Sequence, residues 1–295
     1  MLILTHTIRI VWKIGLVWTM IVMGLNLFGI EEPESLWWLG LLNLFVFFDK
    51  NLHYMMGQFL GNYIINIRYM LRPPSVDSYE CELDYMLPFE GAWTTLNGGI
   101  SKKLSHTWPL INQRYAYDFV IMDDEGRTFE GDNKDVQSYF CYGANIVAPA
   151  DGTVVKISNK HRNSRTNGKR AVCDTSDPRG NFVIIQHTEK EFSLMAHLIP
   201  GSVTVKAGDK VKQGDIIGQC GNSGNTSEPH LHFQLQSSKT FLTGAGLPIS
   251  FANINIRRKP GYRKKDKRNP QKKLIEAHSE GRVYIGRGLE VWNRE

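Results

Sequence analysis

The chain has 295 residues, 42% of them hydrophobic and 22% charged, an ordinary globular balance with room for one sizeable domain plus attachments. Its four cysteines, Cys81, Cys141, Cys173 and Cys220, are widely spaced and include no Cys-x-x-Cys. That argues against a thiolate zinc site and a disulfide-dense scaffold, and leaves free thiols or one or two bridges open. The net charge of +6 belongs to one segment: from Arg257 to Lys273 ten Lys or Arg stand against Asp266 alone, a net of +9, so the remainder carries about −3.

Residues Ile14 to Ile30 run 17 positions without a charge, after Arg9 and Lys13 and before Glu31, Glu32 and Glu34. As a helix this run reaches about 25 Å, and extension through Ile8 to Trp12 spans a bilayer with Lys13 snorkelling. No Ala-x-Ala-like site follows, so an uncleaved anchor is expected. A second apolar run, Leu36 to Phe48, has the length of a re-entrant, interfacial or second spanning segment. One crossing with Arg9 and Lys13 inside puts the rest of the chain outside the cell, whereas a two-helix hairpin returns it to the cytoplasm. Asn51 to Leu71 reads as an amphipathic helix, on the membrane surface or packed on its neighbours, ended by Arg72-Pro-Pro-Ser75.

From about Ser78 the texture changes to short β-like runs separated by Gly, Asn and Pro. Strands are expected around Phe89–Trp93, Leu96–Gly99 and Tyr115–Ile121, and two more, joined at an Asp-Gly turn, within 146–157. Further short strands follow at Phe182–His187, Phe192–His197, Val203–Val205, Lys210–Val211 and Ile216–Ile217. The expected architecture is all-β, an antiparallel sheet or sandwich, over residues 75–250. It sits between N-terminal membrane helices (1–74) and a basic C-terminal tail (251–295).

The chemistry concentrates in Glu228-Pro-His230-Leu-His232-Phe233, where strand alternation points His230 and His232 to the same side. Imidazole nitrogen is both a good zinc ligand and a proton acceptor near neutral pH. Asp118, in a strand, and His197, at a strand end, make one carboxylate and three imidazoles available to one cleft. His187 reads as structural, and His6, His53, His161 and His278 have no partner in sequence.

Several of these stretches together resemble the lysostaphin-like (M23) zinc metallopeptidases. They are Ala148-Pro-Ala-Asp-Gly152, Asn181-Phe-Val-Ile-Ile-Gln-His, Met195-Ala-His197-Leu, Val205 through Gly218, Gly221-Asn-Ser-Gly224 and Pro229-His-Leu-His-Phe233. The resemblance covers about residues 110–238. It implies a bound zinc ion held by Asp118 and His232, and roles for His197 and His230 in orienting the water and stabilising the oxyanion. It also implies peptidoglycan peptides as substrate. One position departs: the family's first ligand, a histidine four residues before the aspartate, is Arg114 here. Guanidinium has no free lone pair and stays charged, so it cannot substitute. Either another side chain completes the set or zinc binds weakly or not at all. His106 lies upstream and is the candidate to return across a hairpin, with Asn112, Gln113 and Cys141 poorer choices.

The reading is a membrane-anchored zinc endopeptidase facing the cell wall. Asp118, His232 and His106 are its candidate metal ligands, and His197 and His230 its catalytic imidazoles. The rival is a catalytically silent M23-like domain that binds a wall component or a protein partner. The basic tail offers contact with anionic wall polymer or lipid headgroups, or is a solvated, largely disordered extension. No base-reading motif accompanies it, so nucleic acid is not expected.

Overall fold

The computed structural model describes residues 2–27, 39–44, 50–166, 177–271, 276–277 and 281–294. The chain forms two compact units, Met1–Leu60 and Gly61–Glu295.

In the first unit the apolar run forms helix α1 (Leu2–Leu27). The Asn43 amide donates to the Gly15 carbonyl at 3.3 Å and to Thr19 Oγ1 at 2.8 Å. Gly15 permits that approach, since a Cβ there would stand 2.8 Å from the Asn43 nitrogen. Among the described residues no helix is long and apolar enough to cross a membrane. The expected spanning anchor therefore lacks support among the described residues, where Arg9 and Lys13 lie within α1. Residues 28–30 and most of the Leu36–Phe48 run lie outside the described residues.

The amphipathic stretch forms helix α2 (Lys50–Arg68). Its second half packs within the second unit, burying Ile65 fully against Ile111 and Ala245 while Arg68 Nη1 donates to the Thr243 carbonyl at 2.8 Å. Met56, Phe59, Leu60, Tyr63 and Ile67 remain exposed along the other face.

The second unit is antiparallel β, as the short alternating runs lead one to expect. Its strands are β1 (Trp93–Asn97), β2 (Tyr117–Val120), β3 (Asn145–Val147), β4 (Gly152–Ser158), β5 (Asn181–Gln186), β6 (Phe192–Leu198) and β7 (Lys210–Val211). They continue with β8 (Ile216–Gln219), β9 (Leu231–Gln236), β10 (Gly246–Leu247), β11 (Ile254–Arg258), β12 (Glu276–Ala277), β13 (Val283–Tyr284) and β14 (Leu289–Asn293). Ten of them form one sheet in the order β11-β14-β1-β2-β9-β6-β5-β4-β7, with β10 added beside β9. Its apolar side chains, among them Trp93, Phe119, Ile185, Met195, Phe233 and Val291, form one buried cluster.

Three expectations are corrected. The segments flanking Asp151-Gly152 do not pair with each other: β3 pairs with β8, and β4 with β5 and β7. Asp151 instead accepts from the Gln213 N–H and Lys212 Nζ, so the Asp-Gly pair turns the chain between two sheets. Val203–Val205 is not a strand. The C-terminal segment is not a solvated tail. Strand β11 pairs with β14 over five residues, β14 pairs with β1, and a short helix α3 (Tyr262–Lys265) lies between β11 and β12. Some of its charges are matched: Lys259, 7% exposed, reaches Glu290 at 2.7 Å and Asp124 at 3.1 Å, and Lys265 reaches Glu228 at 2.5 Å. Lys272, Lys273 and His278 lie outside the described residues. Cys81, Cys141 and Cys220 are buried free thiols, and Cys173 lies outside the described residues.

Candidate active site

Strand register builds the site. Asn97 on β1 pairs opposite Asp118 on β2, Asp118 opposite His232 on β9, and His232 opposite Ala196 on β6, next to His197. Each strand thus delivers one polar side chain to a common row. His232 Nδ1 lies 3.0 Å and His230 Nε2 3.7 Å from Asp118 Oδ1. The His197 ring centroid is 4.6 Å from that of His230 and 5.8 Å from that of His232. His106, half exposed, brings Nδ1 to 3.8 Å from the other carboxylate oxygen, Asp118 Oδ2. The five candidate residues therefore stand around one cleft.

The chain conformation that places them is specific. His197 has φ +67, the left-handed region that a bulky side chain rarely adopts, and its N–H donates to the Arg179 carbonyl at 3.0 Å. Its Nδ1 lies 2.7 Å from the Ser223 carbonyl. A carbonyl only accepts, so Nδ1 carries the hydrogen and Nε2 presents a lone pair. His230 repeats the device, with Nδ1 2.8 Å from the Glu228 carbonyl. Burial, reinforced by the neighbouring His230 and His232, pushes the His197 pKa far down and keeps that ring neutral. For Asp118, burial raises the pKa, but the hydrogen bond with His232 and the nearby imidazoles outweigh it and hold the carboxyl well below the usual range. Burial likewise draws His106 below its ordinary value, opposed by Asp118.

Residues that sequence reasoning missed hold this row in place. Asn97 Nδ2 donates to Asp118 Oδ2 at 3.2 Å, and its Oδ1 accepts the His106 N–H at 3.1 Å, so one amide aims both side chains. Arg268 Nη1 reaches the same Oδ1 at 3.4 Å while its guanidinium is paired with Asp266. Gln234 Oε1 lies 3.2 Å from His232 Nε2. The signal for Gln234 was available in the strand: 230, 232, 234 and 236 are polar on one side of an otherwise apolar β9. Nothing local marks Asn97 or Arg268.

Arg114 is turned to another use: its Nε donates to the Trp108 carbonyl at 3.2 Å and its guanidinium lies 5.3 Å from the Trp108 ring centroid. Asn112 donates to the Phe241 carbonyl and Cys141 Sγ to the Pro229 carbonyl. His187 bridges the Asp151 carbonyl and Ser193 Oγ, away from the row.

Among the described residues, no three His, Cys, Asp or Glu side chains close on one point as a finished metal cage. The donor chemistry nevertheless fits a divalent cation. With Gln234 Oε1 accepting from His232 Nε2–H, His232 Nδ1 faces Asp118 Oδ1 across 3.0 Å, a gap closed here by the ring's second hydrogen and the place a metal ion would take. Two facing lone pairs at that separation require a proton or a metal ion between them. His106 is the nearest third donor.

An antiparallel β-domain thus brings a carboxylate and imidazoles together in one cleft. The chain carries a domain of peptidase family M23: residues 134–243 match that family's model. The chain is 36% identical over 77 residues to the peptidoglycan DD-endopeptidase ShyA of Vibrio cholerae, covering 26% of this chain and 16% of that protein. It is 30% identical over 128 residues to the murein hydrolase activator NlpD of Salmonella dublin, covering 43% of this chain and 29% of that protein. The matches thus span less than a third of either relative's length. Among solved structures, the catalytic domain of lysostaphin from Staphylococcus simulans aligns at 20% identity and a TM-score of 0.31, over 53% of this chain and 88% of that one.

Proposed function

We propose that the chain is a zinc-dependent endopeptidase that hydrolyses peptide bonds of bacterial peptidoglycan. The observation that carries this reading is the pair of imidazoles, His197 and His230. Each has its Nδ1 hydrogen tied to a backbone carbonyl, and they stand with His106 and His232 about one carboxylate. A binding surface has no use for two proton acceptors held in fixed tautomers beside an ionised aspartate.

Asp118, His232 and His106 would hold the zinc ion, which when bound polarises the scissile carbonyl and acidifies a water. The chain's own part is to aim lone pairs. Nε2 of His197 or His230 accepts the water's hydrogen, and the ring that takes it returns it to the leaving amine. Asn97 holds Asp118 by its outer oxygen, which keeps the carboxylate from turning away as charge moves through the cleft.

We also place the protein at a membrane, with the β-domain on the outer side. The uncharged run from Ile14 and the exposed apolar face of α2 support this, together with a stretch from Lys50 to Ser75 that contains Lys and Arg but no Asp or Glu. Protection of the domain from added protease in intact cells would place it inside instead.

The activity is tested on purified full-length chain, by zinc stoichiometry and by release of new amino groups from isolated peptidoglycan. Near one zinc per chain, with release abolished in His197→Ala and His230→Ala, is the expected result. Zinc bound without release, or no zinc at all, would leave the silent binding domain, the reading that Arg114 in the usual ligand position favours.

A further inference from the structure

On β9 the side chains of His232, Gln234 and Gln236 follow one another on one side of the strand, and all three are buried, the two glutamines almost completely. Buried amides must spend their donors and acceptors, and here the spending runs in one direction. The Ser238 carbonyl can only accept, so Gln236 turns its Nε2 toward it at 2.7 Å. That leaves Gln236 Oε1 to accept from Gln234 Nε2 at 2.7 Å. Gln234 Nε2 gives its other hydrogen to the Asn112 carbonyl at 3.0 Å, so both of its donors are used. Its Oε1 is then the only group it can show to His232 Nε2, at 3.2 Å, and an oxygen there requires that ring nitrogen to carry hydrogen. A bare Nε2 would face the Gln234 oxygen lone pair to lone pair, an arrangement proteins avoid, so Nε2 carries hydrogen whatever Nδ1 does.

We infer that Gln234 is a positioning residue that holds a hydrogen on His232 Nε2 and so makes Nδ1 the nitrogen free to give up its hydrogen to a metal ion beside Asp118. The inference rests on the proposed zinc reading for its consequence, since only a bare Nδ1 can ligate. The relay is anchored at both ends by backbone carbonyls, Ser238 and Asn112, so its direction does not depend on solvent. Without Gln234 the Asp118 carboxylate, 3.0 Å from Nδ1, draws the ring hydrogen to that side and blocks the ligating position.

The test compares full-length wild type with Gln234→Met, Gln234→Glu and Gln236→Met. The readouts are ring-nitrogen NMR of the zinc-free proteins, chelator-competition titration with zinc, and thermal melting to confirm folding. In Gln234→Met, His232 is expected to move to the Nδ1–H form and zinc affinity to fall about 10- to 100-fold, the usual range for a lost outer partner of a ligand. Gln234→Glu, which keeps an acceptor at Nε2, restores the Nε2–H signature. Gln236→Met, which touches nothing on His232 and leaves the Gln234 amide held by the Asn112 carbonyl, keeps the Nε2–H form. An unchanged tautomer in Gln234→Met overturns the inference, as does Gln234→Glu behaving like Gln234→Met, because then the side chain only packs. Should wild type bind no zinc, the peptidase reading falls while the nitrogen spectrum still decides the lock.

Discussion

Gly180 packs directly against the backbone that orients His197, and replacing it with alanine gives a sharp test of how that histidine is held. Its φ is +63, and a Cβ there would lie 2.3 Å from the Ser223 carbonyl carbon and 2.4 Å from its oxygen. That oxygen accepts from His197 Nδ1 at 2.7 Å, so the clash moves the peptide that fixes the ring. The left-handed conformation alone costs alanine about 1 kcal/mol, offset by about 0.4–1 kcal/mol from the stiffer unfolded chain. Relieving the overlap requires a shift approaching 1 Å, with an overpacking cost of about 1–3 kcal/mol. Gly201 is the internal control, since its φ is +82 but nothing lies within 4 Å of its Cβ position. Equilibrium urea unfolding should therefore show Gly201→Ala within about 0.6 kcal/mol of wild type and Gly180→Ala destabilised by about 1–3.6 kcal/mol. Peptidoglycan hydrolysis by Gly180→Ala should fall further than its folded fraction accounts for, on the order of 10²-fold for a displacement near 1 Å. If the two variants unfold together, Gly180 is not a packing contact of the Ser223 peptide and the account of His197 is wrong.

Other consequences are as direct. Glu191 is fully buried and accepts from the Tyr79 and Tyr85 hydroxyls and the Glu82 N–H; burial and this carboxylate push both phenols far up, so they stay protonated donors. Glu191→Ala orphans all three and should cost about 3–5 kcal/mol by urea unfolding, and a loss below about 1 kcal/mol would contradict the pairing. Burial lowers His187 from 6.5 to about 4, against a partial rise from the Asp151 carbonyl. The unfolded chain then takes the proton first, so this residue's contribution is complete above pH 6.5 and is lost as pH falls through 4, at most about 3 kcal/mol. His187→Gln should flatten the stability profile across that window, and an identical slope in both proteins would refute the assignment. Finally, His106→Ala should lower zinc stoichiometry while Arg114→Ala leaves it unchanged, because Arg114 is committed to Trp108. The reverse outcome would return the first-ligand role to the neighbourhood of position 114.

What could be read from the chain was what local order encodes. The alternation in Leu231–Gln236 and in Phe192–Leu198 gave strands, and the side shared by His230 and His232 followed from period two. What could not be read depends on pairing across long separations. Lys259 looked like one more solvated cation until Glu290 and Asp124 are seen beside it. Those partners come from β14 and from the loop after β2, and no window of sequence contains all three. His106 is similar: its approach to Asp118 is set by Asn97 gripping its backbone N–H, a contact made by a residue with no motif around it. The Asp151-Gly152 pair misled for the opposite reason. The local turn signal was sound, but the strands it separates found better partners in β8, β5 and β7.

The placement of β14 between β11 and β1 has a temporal meaning. Trp93 is in register with Val291, roughly two hundred residues onward, and β1 is also the strand that presents Asn97 to Asp118. Closing so wide a loop carries an entropic cost that the intervening β2–β9–β6 pairings must lower first, so this flank of the cleft is the last to be fastened. A chain still emerging from synthesis could pair β1 with β2, and so set Asn97 on Asp118, while the outer edge of β1 stayed open. The sheet would then close on this side only once β14 had been made, a built-in delay between setting the aspartate and covering the strand that holds its amide.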